Sequence, residues 1–384
     1  MKYPLLFIAT LTLFSCSKPV PKLGDRLDSL FSSTIPGSEN SDYNHEGPGA
    51  SVLIVKGDSI IFSKSYGLAD LNTKEPITDK TLFNLGSISK TFVANAILML
   101  RDEGKLSLED SVIKYFPEFK NKEIGRKVKI KHLLTHTSGL PDIRPVEEQR
   151  EFYLTADDAQ NWAPIMETDT LEFEPGTKYN YSNPAFNALA LIIEKVSGVK
   201  WQSFVAERIF KPAGMVTSTI TDGPHPQSGV SHGYTYDNDG FAGKDEEDFP
   251  QYWGELDYGE EPTFCAAGNG GVWSSTSELL KYHRALNTSM FSNAKTIAES
   301  MELKSFPQWS SKEQPFIGWS WFIGATDAGA SIIYHTGTQG GFYCDYVSIP
   351  EERFLYVMLA NFPIDRDLLN HKVLAFTGMQ PEDY

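Results

Sequence analysis

Apolar residues follow two patterns along the chain, and each predicts a different kind of element. Residues 50–55 and 59–63 are rich in apolar and β-branched side chains and flank Gly57 and Asp58, which predicts a β-hairpin. The strand pattern returns near the C-terminus, where Pro350 and the polar residues after it predict a second hairpin. These later strands are predicted at residues 319–323, 331–334, 342–349 and 354–360.

Helical segments are predicted mainly between the two strand-rich parts. The apolar run at 93–100 has the composition of a buried helix, and a second run at 188–196 is rich in small and apolar residues. Residues 201–210 predict a helix that Pro212 and Gly214 end, and a final helix is expected from Leu368 onward.

Length and charge limit the classes of function. With 384 residues, 41% of them hydrophobic, the chain can bury a sizeable core as one large or two medium domains. The formal net charge is −16 and the pI is near 5.0, and no basic arm or patch is visible. Neither nucleic acid nor an anionic lipid surface is therefore an expected partner.

The N-terminus has the pattern of a secretory signal. Lys2 precedes an apolar run at 5–14 that is too short to span a bilayer. Leu13, Ser15 and Cys16 resemble a bacterial lipobox, although Phe14 is less usual at its position. This predicts a lipoprotein signal peptide at 1–15, an acylated Cys16 and a tether at 16–24. The protein would then face the periplasm or exterior from the bacterial cell envelope, attached to the membrane only through lipid; the alternative is an ordinary signal peptide in which Cys16 has no role.

The cysteine and histidine spacings do not indicate a metal site. Cys265 and Cys344 are compatible with a disulfide or with two separate buried thiols. His132 and His136 are four residues apart, as zinc ligands on a helix would be, but no glutamate lies between them in the required place and no third ligand follows. Packing and turn hydrogen bonds explain these histidines better, and no cofactor is predicted.

Two further features of the sequence have a structural and a functional interpretation. Residues 237–261 hold ten Asp or Glu against Lys244 alone, which predicts a solvated loop or, alternatively, a lid that favours neutral or cationic substrates.

Ser231 lies in a Gly-x-Ser-x-Gly motif, the nucleophile elbow of α/β-hydrolases, which requires a strand before it and a helix after it. Neither pattern flanks Ser231, so a nucleophilic role is not predicted for it.

Ser87 and Lys90 form the first candidate for chemistry. Their spacing of three places both side chains on one face of a helix, about 5–6 Å apart at Cβ. Gly86 allows the turn into that helix, and an amine so close to a serine hydroxyl can accept its proton. The alternative is an N-cap serine followed by a surface lysine.

Two later motifs change this interpretation. Tyr181 and Asn183 precede the apolar run at 188–196, and residues 335–338 read His-Thr-Gly-Thr at the end of a predicted strand. With Ser87 and Lys90, their order and spacing resemble the three motifs of the serine β-lactamase and penicillin-binding hydrolases. The nearest branch holds class C β-lactamases, Streptomyces-type D-Ala-D-Ala carboxypeptidases, D-aminopeptidases and β-lactamase-fold esterases. Residues 133–140, 208–215 and 267–275 resemble its accessory signatures, so the resemblance covers about 25–375.

This resemblance implies the fold and the domain organisation. The expected fold class is α+β, with an antiparallel sheet from the N- and C-terminal parts, flanked by helices, and an all-helical lobe inserted between them. The hydrolase domain would span 25–384, with an α/β lobe at about 25–83 and 268–384 and the helical lobe at about 84–267.

The resemblance also implies a role for each motif residue. Ser87 would be the nucleophile that forms an acyl-enzyme, Lys90 its base, and Tyr181 the residue that carries a proton to the leaving group. Asn183 would orient the substrate amide or Lys90. The strand motif of His335, Thr336, Gly337 and Thr338 would bind substrate, with the backbone N–H groups of Ser87 and Thr338 forming the oxyanion hole.

His335 is the informative departure from the family pattern. Class C β-lactamases usually carry lysine there, which holds the β-lactam carboxylate, whereas a histidine is mostly neutral at pH 7. This favours a metal-independent serine hydrolase of small esters or D-amino-acid amides and peptides. The alternatives are a class C-like β-lactamase and a sensor that binds peptidoglycan fragments or β-lactams without turnover. Oligomeric state cannot be predicted from these patterns.

Overall fold

The structure is a computed structural model that describes residues 21–38, 47–146, 150–221, 226, 228–235, 254–255 and 265–381. The predicted signal peptide, Cys16 and most of the acidic stretch at 237–261 lie outside these residues. None of the helices in the described ranges is long and apolar enough to cross a membrane.

A six-stranded antiparallel sheet forms the centre of the fold, in the order β10-β11-β12-β13-β1-β2. The N-terminal hairpin therefore joins the C-terminal strands directly, with Ala50 opposite Ala360. The strands are β1 Ala50–Lys56, β2 Ser59–Tyr66, β3 Leu68–Asp70, β4 Glu75–Pro76, β5 Phe83–Asn84, β6 Thr219–Ile220, β7 Tyr234–Thr235, β8 Gly254–Glu255, β9 Val272–Ser274, β10 Phe322–Ala325, β11 Ser331–Gln339, β12 Phe342–Ile349 and β13 Phe354–Ala360.

Helices cover both faces of this sheet and are the main regular elements of the described chain between β5 and β9. They are α1 Leu23–Thr34, α2 Ser89–Asp102, α3 Lys122–Lys127, α4 Ile130–Leu134, α5 Arg150–Thr155, α6 Asp158–Met166, α7 Asn183–Ser197, α8 Trp201–Val205, α9 Lys211–Ala213, α10 Ala267–Gly270, α11 Thr276–Asn287, α12 Ala294–Ser300 and α13 Arg366–Phe376. Short 3₁₀ turns lie at Gly86–Ile88, Val112–Lys114 and Pro350–Glu352, and a π turn at Ala206–Phe210 joins α8 to α9.

Strands β1 and β13 are buried on both faces, which explains their continuous apolar sequences. Because successive side chains in a strand alternate between faces, Leu53 and Val55 pack toward α2 and the helical part. Val52 and Ile54 pack on the opposite face, in the cluster that includes residues of α1 and α13. The sheet therefore separates two apolar cores, and the larger one lies around α2, the helix that follows Ser87.

The predicted fold class is confirmed. Both predicted hairpins are present, and α13 occupies the place of the expected final helix. Between β2 and β10 the regular structure of the described residues is mainly helical, and the strands there, β3 to β9, are only two or three residues long. The boundaries of the two lobes remain predictions.

Two local predictions differ from the structure. The strand expected at 319–323 begins only at Phe322, because Ser320 has a left-handed backbone (φ 71°) and donates its N–H to Leu134 O. The helix expected at 201–210 changes to a π turn after Val205. In both segments apolar residues pack into the core without the regular hydrogen bonding that their pattern predicts.

Candidate active site

Ser87 and Lys90 are brought together at the start of α2. Ser87 lies in the 3₁₀ turn Gly86–Ile88, and Lys90 is in the first turn of the helix that continues it. The Lys90 Nζ atom lies 2.9 Å from Ser87 Oγ and 2.7 Å from the backbone oxygen of Asn269, in α10. The predicted i, i+3 arrangement therefore produces a direct hydrogen bond between amine and hydroxyl.

Lys90 is fully buried, and neither of these two hydrogen-bond partners carries a charge. Burial lowers the pKa of its amine well below the usual value near 10.5, and the positive charge of Arg144 lowers it further. An amine in these surroundings favours its neutral form, which has a lone pair and can accept a proton from Ser87.

Tyr181 lies against the same pair. Burial raises the pKa of its phenol above the ordinary value of 10.0, and a hydrogen bond with Ser87 acts in the opposite direction. Lys90 Nζ is 5.1 Å from the centroid of the Tyr181 ring, and the His136 ring stacks on the tyrosine at 4.3 Å between centroids. The tyrosine is therefore held as a neutral phenol, which is a hydrogen-bond and proton donor.

His136 holds the tyrosine segment in place through both its backbone and its ring. Its backbone is left-handed (φ 55°), and its carbonyl accepts the N–H of Asn180 at 2.9 Å. Its Nδ1 accepts the N–H of Ser182 at 3.0 Å. Ser182 in turn caps α7 by accepting the N–H of Ala185. His136 therefore has a positioning role that the sequence did not reveal.

Backbone atoms of the Ser87 turn and of β11 approach each other closely. A Cβ atom added at Gly337 would lie 1.9 Å from the Leu85 carbonyl oxygen and 3.3 Å from the Ser87 nitrogen. One added at Gly86 would lie 2.9 Å from the Thr338 nitrogen. The two N–H groups of the predicted oxyanion hole, those of Ser87 and Thr338, therefore lie on adjoining backbone segments that only glycine allows to meet.

His335 is buried beside this junction and is neutral. Burial lowers its pKa to about 3, with a smaller contribution from the charge of Lys90. Its Nδ1 donates to the carbonyl oxygen of Thr336 at 2.7 Å, so Nε2 carries a lone pair, and this buried atom has no hydrogen-bond partner among the described residues. This position of β11, where the class C β-lactamases usually have lysine, thus presents no positive charge.

A cavity of about 170 Å³ opens directly on Ser87. Its polar lining residues include Ser87, Arg144, Asn161, Asn183, Asn269 and Thr338. Clefts of about 600 and 580 Å³ lie elsewhere on the molecule, and neither is lined by Ser87 or Lys90. The cavity at Ser87 is therefore the candidate substrate site despite its smaller size, because it alone of the three contains the candidate nucleophile.

The segment that carries the Asn269 carbonyl is anchored by a buried carboxylate through the neighbouring Gly268 N–H. Asp158, at the start of α6, accepts hydrogen bonds from Gly268 N at 2.8 Å, Asn187 Nδ2 at 2.7 Å and Trp201 Nε1 at 3.0 Å. Burial raises the Asp158 pKa to about 7, against the lowering effect of these donors. The signature at 267–275 pointed to this loop, but neither Asp158 nor the role of the Asn269 carbonyl was predicted.

Four other residues considered in the sequence lie away from the Ser87 and Lys90 pair or have packing and hydrogen bonds that explain them. Ser231 is fully buried, its N–H bonds to Leu82 O, and it is followed by β7 rather than a helix. His132 Nδ1 accepts the N–H of Lys129, and within the described ranges no group of His, Cys, Asp and Glu could hold a metal ion. Cys265 and Cys344 are both thiols.

This fold and this arrangement of motif residues are those of the β-lactamase and penicillin-binding protein fold. A family model described as Beta-lactamase matches residues 38–375, and the chain belongs to this family.

Three known proteins illustrate the relationship. Penicillin-binding protein 4* of Bacillus subtilis (strain 168) is 29% identical over 324 residues, which cover 81% of this chain and 67% of that protein. Protein flp of Staphylococcus aureus (strain MW2) is 35% identical over 176 residues, but these cover 45% of this chain and only 35% of that longer protein. The D-amino acid amidase from Ochrobactrum anthropi SV3 shares the fold at 17% identity, with a TM-score of 0.72 over 93% of this chain and 99% of the amidase.

Proposed function

We propose that this protein is a metal-independent hydrolase that forms an acyl-enzyme on Ser87 and cleaves small esters or D-amino-acid amides and peptides. The observation that supports this most directly is the 2.9 Å hydrogen bond between Ser87 Oγ and a fully buried Lys90. Burying a charged lysine without an acidic partner is costly, so a lysine with only a structural role is not expected in this position. A base that works near neutral pH, in contrast, requires the lowered pKa that burial produces.

The proposed reaction assigns one step to each residue. Ser87 Oγ attacks the carbonyl carbon and its proton passes to Lys90, while the electrons of the C=O bond move to the oxygen, which the N–H groups of Ser87 and Thr338 stabilise. Collapse of this intermediate breaks the bond to the leaving group, which takes a proton from the Tyr181 phenol. Lys90 passes the proton it received from Ser87 to the Tyr181 phenolate, so that both residues regain their starting forms. Water then attacks the acyl carbon and gives a proton to Lys90; the bond from that carbon to Ser87 Oγ breaks, and Ser87 takes the proton back.

The neutral His335 bears on the choice of substrate. The usual lysine of class C β-lactamases would offer a cation for the β-lactam carboxylate, and His335, with its pKa lowered to about 3, offers none. This supports esters and amides over β-lactams, and the fold shared with a D-amino acid amidase is consistent with it. A class C-like β-lactamase and a non-hydrolysing sensor are the alternatives to be tested.

A four-substrate panel tests the proposal. Purified protein should hydrolyse a short p-nitrophenyl ester or D-Ala-p-nitroanilide faster than nitrocefin. The fourth substrate, an acyl-D-Ala-D-Ala peptide, tests for carboxypeptidase activity. Ser87→Ala should abolish turnover without changing the unfolding midpoint, and normal activity in that variant would refute the mechanism. An acyl adduct on Ser87 that persists for hours would instead favour the sensor.

Active-site labelling provides an independent control. A fluorophosphonate should label Ser87, and peptide mapping of the labelled protein separates this from Ser231. Because Ser231 is fully buried, labelling there would contradict both the structure and the proposed nucleophile.

We also propose that the protein is a lipoprotein of the bacterial cell envelope, anchored by an acylated Cys16 and facing the periplasm or exterior. The sequence pattern around Leu13, Ser15 and Cys16 is what supports this. Metabolic labelling with a clickable palmitate analogue should mark the wild type and not Cys16→Ala. Equal labelling of both would exclude Cys16 as the anchor.

A further inference from the structure

We infer that Arg144 binds a carboxylate carried by the acyl portion of the substrate, so that the preferred substrates are short acyl compounds with an anionic end. This inference rests on the proposed acyl-enzyme function and narrows its substrate class. It concerns a residue outside the three family motifs.

Arg144 is fixed at the wall of the cavity that opens on Ser87. Its Nε and Nη2 atoms donate to the two oxygens of Asp142 at 2.8 and 2.6 Å, and its Nη1 donates to Asn161 Oδ1 at 2.7 Å. The side chain is only 7% exposed, although it belongs to a loop. These hydrogen bonds hold the guanidinium in one orientation before any ligand binds. A preorganised planar guanidinium is well suited to bind a planar carboxylate.

The guanidinium retains donors for a ligand. Of its five N–H groups, three are used by Asp142 and Asn161 in the described residues, which leaves two. The other polar residues that line the cavity are uncharged: Ser87, Asn161, Asn183, Asn269, Thr338 and Gln339. Among the described lining residues, Arg144 is therefore the one cationic group that an entering carboxylate meets. Its ion-pair partner Asp142 is exposed and does not line the cavity, whereas the guanidinium is largely shielded from water, where charge-assisted hydrogen bonds are strong.

The position of Tyr181 indicates which part of the substrate enters. In the proposed mechanism the leaving group must lie beside the Tyr181 phenol, and Tyr181 does not line the cavity. The acyl portion, on the other side of the scissile bond, is therefore the part directed toward Arg144. The cavity, at about 170 Å³, is smaller than ligand pockets of about 300–1,000 Å³, so the acyl chain is expected to be short.

The alternative role of Arg144 is to tie its loop to Asn161 without contacting substrate. Two esters with the same leaving group separate these roles: p-nitrophenyl glutarate, whose five-carbon acyl chain ends in a carboxylate, and p-nitrophenyl valerate, whose five-carbon chain is neutral. The measured quantity is the ratio of their kcat/KM values at each pH, after subtraction of the rate with Ser87→Ala to remove spontaneous hydrolysis. The ratio is needed because the charge of Arg144 also lowers the pKa of Lys90 and thus affects both substrates.

Arg144→Gln should lower the glutarate-to-valerate ratio by about 10- to 100-fold, mainly through a higher KM for the glutarate ester. Arg144→Lys, which keeps the charge but not the planar fork, should lower it less, and it serves as the test if the glutamine variant does not fold. Ratios within twofold of wild type in both variants would overturn the inference. A second pair of esters, 4-acetoxybenzoate and phenyl acetate, has the same acetyl group and differs in a carboxylate on the leaving group. If Arg144→Gln changed only the ratio of kcat/KM for this second pair, the carboxylate recognised by Arg144 would belong to the leaving group, and the inference would be overturned as well.

Failure of the proposed function gives a different result. If wild-type protein hydrolyses neither p-nitrophenyl ester above the rate of Ser87→Ala, the acyl-enzyme proposal itself is wrong for esters. If it hydrolyses both and Arg144→Gln leaves their ratio unchanged, the hydrolase proposal survives and only the role of Arg144 is refuted.

Discussion

On the proposed mechanism, Gly337→Ala should abolish hydrolysis by separating the two backbone segments that would form the oxyanion hole. The added Cβ would lie 1.9 Å from the Leu85 carbonyl oxygen, whereas real Cβ contacts below 3.0 Å essentially do not occur. The Ser87 turn or strand β11 must therefore move apart by roughly 1 Å, and a misplacement of about 1 Å can reduce the rate about 100-fold. Complete loss of one oxyanion donor would reduce kcat by about 10²–10³-fold, or about 3–4 kcal/mol.

The assay compares kcat for a p-nitrophenyl ester with the free energy of unfolding in urea. Overpacking of this kind should destabilise the fold by about 1–3 kcal/mol, so the variant should remain folded while kcat falls at least 100-fold. Gly24→Ala is the matched control, because a Cβ there meets nothing within 4 Å. A Gly337→Ala protein with kcat within threefold of wild type would refute the claim that this close approach positions the oxyanion hole.

Three further predictions concern proton transfer and stability. Tyr181→Phe should lower kcat by about 10²–10⁴-fold, with a larger loss for a D-amino-acid amide than for a p-nitrophenyl ester; equal losses would argue against proton donation to the leaving group. In the proposed mechanism Lys90 acts in its neutral form, so kcat/KM should rise with pH through a pKa well below 10.5. Arg144→Gln, which removes a neighbouring positive charge, should move that rise to higher pH. Asp157→Ala removes the cap that accepts the Gln160 N–H at 2.7 Å and should destabilise α6 by about 1 kcal/mol in urea unfolding with kcat unchanged, whereas Asp157→Asn should lose less.

Local spacing predicted the reactive pair well. The i, i+3 separation of Ser87 and Lys90 determines their proximity once the segment turns into a helix, so the prediction required no knowledge of the rest of the fold. The two hairpins were predicted for the same reason, since alternation and turn residues are local signals.

The surroundings of that pair could not be predicted in the same way. The carbonyl that holds Lys90 belongs to Asn269, 179 residues further along the chain, and a backbone oxygen has no sequence signature. Arg144 and Asp158 are ordinary charged residues in sequence, and only the packing of α6, α7 and α10 turns them toward the site. Trp319 and Trp321 illustrate a related limit, because they pack in the core without belonging to a strand.

The order of strands in the central sheet has a consequence for biosynthesis. β1 pairs with β13 on one side and with β2 on the other, so the edge of the N-terminal hairpin that faces the sheet has no partner until residues 354–360 have been made. Pairings between such distant segments close slowly, and we expect this hairpin to remain open to proteases and chaperones through most of synthesis. Protease cleavage of ribosome-bound chains measures this: protection of residues 50–66 should appear only in chains that extend past β13, and protection in shorter chains would contradict it.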